Sequence, residues 1–401
     1  MAKTKTTNQE RKAKQTAKKM ANGQAPLKET PEQLYETALN LVEQAQPEEA
    51  LKTAKKLWAQ VQNGGTSQAL PALNLLGEIS VELGDVDSAR GYFEQAAALD
   101  PTGTIPEAMG GGAEKFLWLA QLSEEGGKES VQWYEKGVSA LQAEIAALDD
   151  SKNVVGLDEE TLLLMRVEKK RRLANALCSI VEVYMTDLSW EDDAEARCEN
   201  LITEAVSVED ETSAEVLQTL ASVRLSQDRT GDAQAALRRS IQSWSELDPE
   251  DPAVPDFATR ISLSRLLMEA KMEDDAVRVL NRLVLEDDQS VEAWYLGGWC
   301  QHLIAEREQG LKGTTNGDSA ADKDIQVAMK GSQHWLNRSI KLYQLLDYED
   351  TRLLEHAKEL VEGIDTVLGP EDEQAEGGDE DYDDWDGIDE DEDVDEEMND
   401  A

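Results

Sequence analysis

The sequence predicts an all-α fold: a solenoid of about seven stacked helical hairpins closed by a capping helix, with a basic arm before it and an acidic tail after it. Three observations predict this. Helix formers (Ala, Leu, Glu, Gln, Lys) dominate, and no segment alternates β-branched and polar residues as a strand does. A pattern of small and large apolar residues recurs at about 34 residues or somewhat more. Glycine and proline gather at the junctions between these units.

The clearest unit runs from Leu70 to Pro101, LPALNLLGEISVELGDVDSARGYFEQAAALDP. Leu73, Leu76 and Gly77 fall on a first helix, Gly84 at a turn, Ala89, Phe93 and Ala96 on a second helix, and Pro101 at its stop. Small residues at Gly77 and Ala89 let two helices approach, Phe93 fills the space between them, and proline cannot continue a helix. This unit resembles the tetratricopeptide (TPR) consensus. The resemblance implies a right-handed superhelix of helical hairpins in which the first helix of each hairpin lines the concave face.

The other units follow in order with decreasing clarity. One from Pro31 has Leu34, Ala38 and Leu41, then Ala50, Ala54 and Leu57. A degenerate third places Phe116, Leu117 and Ala120 before Gly126-Gly127, with Tyr134 and Gly137 on the return. The fourth pairs Leu177, Ile180 and Tyr184 with Ala194, Cys198 and Leu201. A fifth has Leu217, Leu220 and Ala221, then Gly231, Ala233 and Leu237; a sixth has Leu263 and Leu267, then Ala276, Leu280 and Leu283. The seventh opens at Trp294, Gly297 and Gly298, with its second helix delayed to Ser332–Leu346. The Gly-, Asp- and Thr-rich stretch between them reads as an inserted loop over about residues 306–331. Residues Tyr348 to Leu368 repeat apolar positions at helical spacing and make the capping helix. The long spacing across Asp149 to Glu168 points to longer helices or insertions. The domain reading is therefore 1–30 disordered basic arm, 31–369 superhelix, 370–401 disordered acidic tail.

Charge selects the class of partner. The formal net charge is −45, from 84 acidic and 39 basic side chains. Residues 1–30 carry +6 and residues 370–401 carry −19, which leaves −32 of the −45 on residues 31–369. Such a body repels phosphates and anionic lipid, so neither direct nucleic-acid binding nor membrane binding is expected, and a cationic polypeptide is its complement. The RKAKQTAKK stretch of the arm reads either as a contact for a nuclear import receptor or as a solvated basic tail. The acidic tail reads as a solubility device or as an electrostatic shield for a basic client.

The candidate contacts on the concave face are Glu43, Asn74, Glu78, Glu82, Glu182, Glu215, Tyr295, Trp299 and His302. Carboxylates pair with ammonium and guanidinium groups, and aromatic rings offer faces to cations. Taken singly, each acid is an ordinary solvated charge; the collective excess is what points to a site. Trp294 and Trp335 match packing positions, and Cys178 and Cys198 read as small buried hydrophobes. Cys178, Cys198 and Cys300 form no CxxC pair, which suits a reducing compartment and a soluble intracellular protein, and no run is apolar enough to span a bilayer. His302, His334 and His356 stand far apart, and Gly110–Gly112 lacks the Lys-Ser/Thr of a phosphate loop. No catalytic set, metal or cofactor is expected.

The layout as a whole combines the basic arm, the LGEISVELGDVDSARGYFEQAAALDP signature, the late insertion before SQHWLNRSIKLYQLL and the Asp/Glu tail. It resembles the fungal dedicated chaperones of large-subunit ribosomal protein L-four. That resemblance implies a superhelix that holds its newly made client by a long basic internal loop, prevents its aggregation and escorts it to the nucleus for assembly into pre-60S particles. A scaffold, or a chaperone of another basic client such as a histone, is the alternative. An adaptor for the acidic C-terminus of heat-shock chaperones is disfavoured, because the first helices carry Tyr35, Leu39 and Asn74 where it needs basic residues.

Overall fold

Local signals start the helices. The Thr30 hydroxyl accepts the Gln33 amide at 3.3 Å while the Gln33 side chain accepts the Thr30 amide at 3.1 Å, a reciprocal cap on α1 (Pro31–Glu43). Pro31 opens that helix where no N–H is needed. Asp85 caps α4 (Val86–Leu99) through Ser88, and Asp158 caps α7 (Glu159–Met185) through Thr161 at 2.8 Å. The structure, a computed structural model, describes residues 29–149, 158–209, 213–312 and 319–370. The disorder expected of the basic arm up to residue 28 and of the acidic tail from 371 lies outside the described residues.

Among the described residues there are fifteen α-helices and one 3-10 turn, and no strand. The chain divides into two compact units, Met1–Glu246 and Leu247–Ala401. Besides α1, α4 and α7, the first holds seven further helices: α2 (Pro47–Val61), α3 (Thr66–Glu82), α5 (Glu114–Gln121), α6 (Gly127–Asp149), α8 (Ala194–Val208), α9 (Ala214–Ser226) and α10 (Thr230–Gln242). The pairs α1/α2, α3/α4, α5/α6, α7/α8 and α9/α10 are antiparallel hairpins of a TPR-like solenoid, and the first four also pack each on the next. The second unit holds α11 (Phe257–Glu269) with α12 (Glu273–Glu286), α13 (Val291–Lys312) with α14 (Ser319–Leu346), and the capping helix α15 (Thr351–Leu368) against α14 and α13.

Packing follows the repeat positions. Leu73, Leu76, Ala89, Phe93 and Ala96 are all buried. A Cβ on Gly77 would stand 2.5 Å from the Phe93 ring, so only glycine lets α4 come this close to α3. Phe93 then stacks on Trp118 of α5 at 5.9 Å, carrying the core from one hairpin into the next. One charged pair is sealed inside: Lys115 Nζ donates to Asp100 at 2.8 Å and to the Gly112 carbonyl at 2.6 Å, with both side chains almost wholly buried.

Two expectations about the irregular stretches resolve differently. The long spacing across residues 149–168 is bounded by long helices, α6 and α7 running to 23 and 27 residues, with 150–157 outside the described residues. The loop expected at 306–331 is corrected: α13 continues to Lys312 and α14 starts at Ser319, before the expected Ser332, leaving only 313–318 outside the described residues. Arg307, Gln309, Lys312, Ala320 and Lys323 are good helix formers, and their preference prevails over the neighbouring glycines and aspartates.

Candidate functional site

The first unit brings six predicted residues, Asn74 and five acids, onto the opening helices of its hairpins, but not all of the acids are free. Glu43 and Glu82, the last residues of α1 and α3, are exposed. Glu78 on α3 and Glu182 on α7 are exposed too, and among the described residues neither has an ion-pair partner. Protein crowds around both carboxylates although the residues are exposed, and this partial desolvation raises both pKa values above the ordinary 4.5. Tyr35 is raised as well, by burial first and then by the Glu78 charge. Half-buried Glu215 on α9 is instead engaged by Arg171, at 3.4 Å.

Arg171 belongs to a basic run on α7, Lys169-Lys170-Arg171-Arg172, to which the sequence reading gave no role. The fold turns much of it onto acids of the same unit. Lys169 Nζ lies 2.6 Å from Glu107 and 2.7 Å from Glu144, and Arg172 bridges Glu107 at 3.1 Å and Glu114. Burial alone would raise the Glu107 carboxyl, but hydrogen bonds and charge from Lys169 and Arg172 outweigh it and hold it below the usual range. Internal cations therefore neutralise one set of acids and leave Glu78 and Glu182 uncompensated.

A half-open cavity of about 330 Å³ lies beside Glu78. It is walled by Tyr35 of α1, by Asn74 of α3, by Glu107 and Gly110 of the turn after α4, and by Arg172 of α7. Gly110, at φ +77°, is where that turn presses on α3: a Cβ there would meet the Pro71 nitrogen at 2.6 Å. Asn74 Nδ2 donates to the Gly110 carbonyl at 2.9 Å, while its Oδ1 is buried and accepts no hydrogen bond from the described residues. Gly110–Gly112 thus serves as a packed turn against α3.

Tyr295, Trp299 and His302 all lie on α13 of the second unit. The Tyr295 hydroxyl is 2.8 Å from His356 Nδ1 of α15, and the Trp299 ring meets His356 edge-on at 5.1 Å. Burial, then the Asp350 charge, push the Tyr295 hydroxyl up to about 12 against the opposing Arg265. His302 Nε2 is 3.5 Å from Glu306. These aromatics are partly buried and join the capping helix to its hairpin. Trp294 packs at 4.7 Å on Trp335, as expected from the repeat. Cys178 and Cys198 are buried, and burial pushes the Cys178 thiol up to about 12. Among the described residues no cluster of His, Cys, Asp or Glu could hold a metal, and no helix is long and apolar enough to cross a membrane.

No protein-family profile matches the chain. It is 48% identical over 373 residues to a protein of Emericella nidulans named a probable assembly chaperone of rpl4, covering 92% of this chain and 91% of the relative. A Schizosaccharomyces pombe protein of the same name is 35% identical over 310 residues, 76% of this chain and 84% of its own. The chain is also similar to a solved structure described as the assembly chaperone of RpL4 (Acl4), residues 1–338, at 50% identity and a TM-score of 0.66, over 71% of this chain and all of that one. Identity at this level across nearly the full length, carried by the same stacked hairpins, means that the chain belongs to the family of assembly chaperones of rpl4.

Proposed function

We propose that this chain is a dedicated chaperone of rpl4, the ribosomal protein L-four, and that it holds a basic segment of that client on the acidic first helices of its first unit. Binding, with no catalysis, is the whole of its task. One observation supports the location: Glu78 and Glu182 stand exposed on two opening helices with no cation from the described residues upon them, in surroundings that already tax their charge. A client's Lys or Arg would supply the missing charge, and the carboxylates would return charge-assisted hydrogen bonds. Glu43 and Glu82 extend the negative wall, and Glu215 contributes less because Arg171 already holds it.

In this reading the chaperone keeps the client from aggregating, travels with it between cytoplasm and nucleus, and gives it up when ribosomal RNA, a denser polyanion, competes for the same basic segment. The Lys- and Arg-rich arm at residues 1–30 is the natural contact for an import receptor. The test is capture of rpl4 by the full chain and by the double variant Glu78→Lys/Glu182→Lys. Charge reversal should weaken capture strongly while the far-ultraviolet spectrum stays helical; unchanged affinity would remove these residues from the site. Copurification from cells should yield rpl4 in stoichiometric amount. Recovery of histones in its place would transfer the function to another basic client.

A further inference from the structure

The cavity beside Glu78 has a chemistry more specific than a negative surface. Pro71, Asn74, Leu75 and Glu78 occupy positions i, i+3, i+4 and i+7 of α3, a single stripe that forms one wall. Along that stripe the polar and apolar roles alternate. Pro71 and Leu75 carry hydrocarbon, whereas Asn74 and Glu78, one turn apart, carry acceptors. Asn74 is locked by its bond to the Gly110 carbonyl, so its other amide atom, the buried Oδ1, is an acceptor with no donor among the described residues. Glu78 likewise has no cation among the described residues. Tyr35 of α1 also lines the cavity. Arg172, the one cation among the described residues that line the cavity, is already held by Glu107 and Glu114. Three carboxylates and one guanidinium among the lining residues leave the cavity negative.

We propose that this cavity is a receptor for a single arginine side chain of the bound polypeptide, and that it selects arginine over lysine. This rests on the reading that the client is basic. The guanidinium is planar, with five donors in a fixed fork, so it can satisfy the Asn74 amide oxygen and the Glu78 carboxylate together, which are set one helical turn apart. Its face stacks on the Tyr35 ring, and its methylene stem lies along Pro71 and Leu75. An ammonium group is a compact, strongly hydrated point charge. It can reach one acceptor well but not both, and it leaves the other dehydrated and unpaired. The cavity thereby fixes the register of a basic segment that general charge attraction alone would let slide.

Two labelled peptides of equal length, one of arginine and one of lysine, titrated against the full chain by fluorescence anisotropy, separate register selection from bulk charge. The arginine peptide should bind more tightly by on the order of fivefold to tenfold, the effect of one further charge-assisted hydrogen bond. Glu78→Gln, an exposed change that preserves shape, should remove most of that preference. Glu82→Gln, outside the cavity, should weaken both peptides alike and leave the preference intact. Equal affinity for the two peptides, or a preference that survives Glu78→Gln, overturns the proposal. If rpl4 is captured without any arginine preference, only this inference falls. If neither peptide nor rpl4 is bound, the reading of a basic client falls, and this inference with it.

Discussion

Glu78 and Glu182 are held where a negative charge is costly, and that cost has consequences for stability, binding and pH. Their folded-state pKa values are raised above the ordinary 4.5, so the folded state binds protons that the unfolded state has already lost. With that sign, each ionised carboxylate opposes folding at neutral pH, and the penalty is relieved as pH falls through the raised value. Glu78→Gln and Glu182→Gln should therefore raise the melting temperature of the free chain slightly while weakening capture of rpl4, a pairing typical of residues kept for binding. A fall in melting temperature would show the two acids to be structural. Client affinity runs the opposite way with pH: it needs the ionised form, so it should decline on acidification before ordinary carboxylates titrate, and the double Gln variant should lose this early decline. Titration of capture against pH reads this directly. Lys115 is the contrasting case, a charge kept wholly inside. Removing it by Lys115→Met leaves Asp100, among the described residues, with only the amides of Thr104 and Ile105, at 3.1 and 3.4 Å, and should cost about 3–5 kcal/mol in chemical denaturation. A loss under about 1 kcal/mol would mean that the pair is worth no more than a surface salt bridge.

Between helices, the contact that shapes a hairpin is a small residue against a large one. Gly77→Ala gains up to about 1 kcal/mol in helix propensity but drives a methyl into the Phe93 ring, and overpacking of this kind costs about 1–3 kcal/mol. The net effect should be destabilisation, smaller in a Phe93→Leu background where the ring is gone; an equal loss in both backgrounds would place the strain elsewhere. This same pairing is why the hairpins are legible from the amino acids. Gly77, Ala89 and Phe93 are constrained by what they touch one helix away, at a spacing that repeats, so the pattern survives in sequence. The site is legible only in part, because whether an acid is free depends on a residue from a distant helix. Glu215 was read as an open contact, yet Arg171, forty-four positions away, claims it. That arginine lies in the long stretch between the third and fourth units, where no repeat position gave it a role. Likewise Tyr295 and Trp299 were read for their exposed faces, and the partner that engages them, His356, sits on a capping helix outside the repeat. The expected loop at 306–331 misled for a third reason: glycine and aspartate content was weighed above the helix formers around it.

Over the whole molecule, charge acts at a distance that contacts do not. Of the formal −45, the last 32 residues contribute −19, and a chain ending at Pro370 would carry −26. Surface charges more than a Debye length from a partner, about 10 Å at 0.1 M salt, add little to the bound complex but still draw an oppositely charged partner in at low ionic strength. Removal of residues 371–401 should therefore slow association with rpl4 severalfold and leave dissociation nearly unchanged, whereas Glu78→Lys/Glu182→Lys should mainly speed dissociation. Stopped-flow association and chase experiments distinguish the two. Raising the salt toward about 1 M, where the Debye length shrinks to about 3 Å, should erase the difference in association rate between full and shortened chains and weaken both steeply. If shortening the chain instead speeds dissociation while association is unchanged, the acidic tail itself holds the client, and the binding surface extends beyond the helical hairpins.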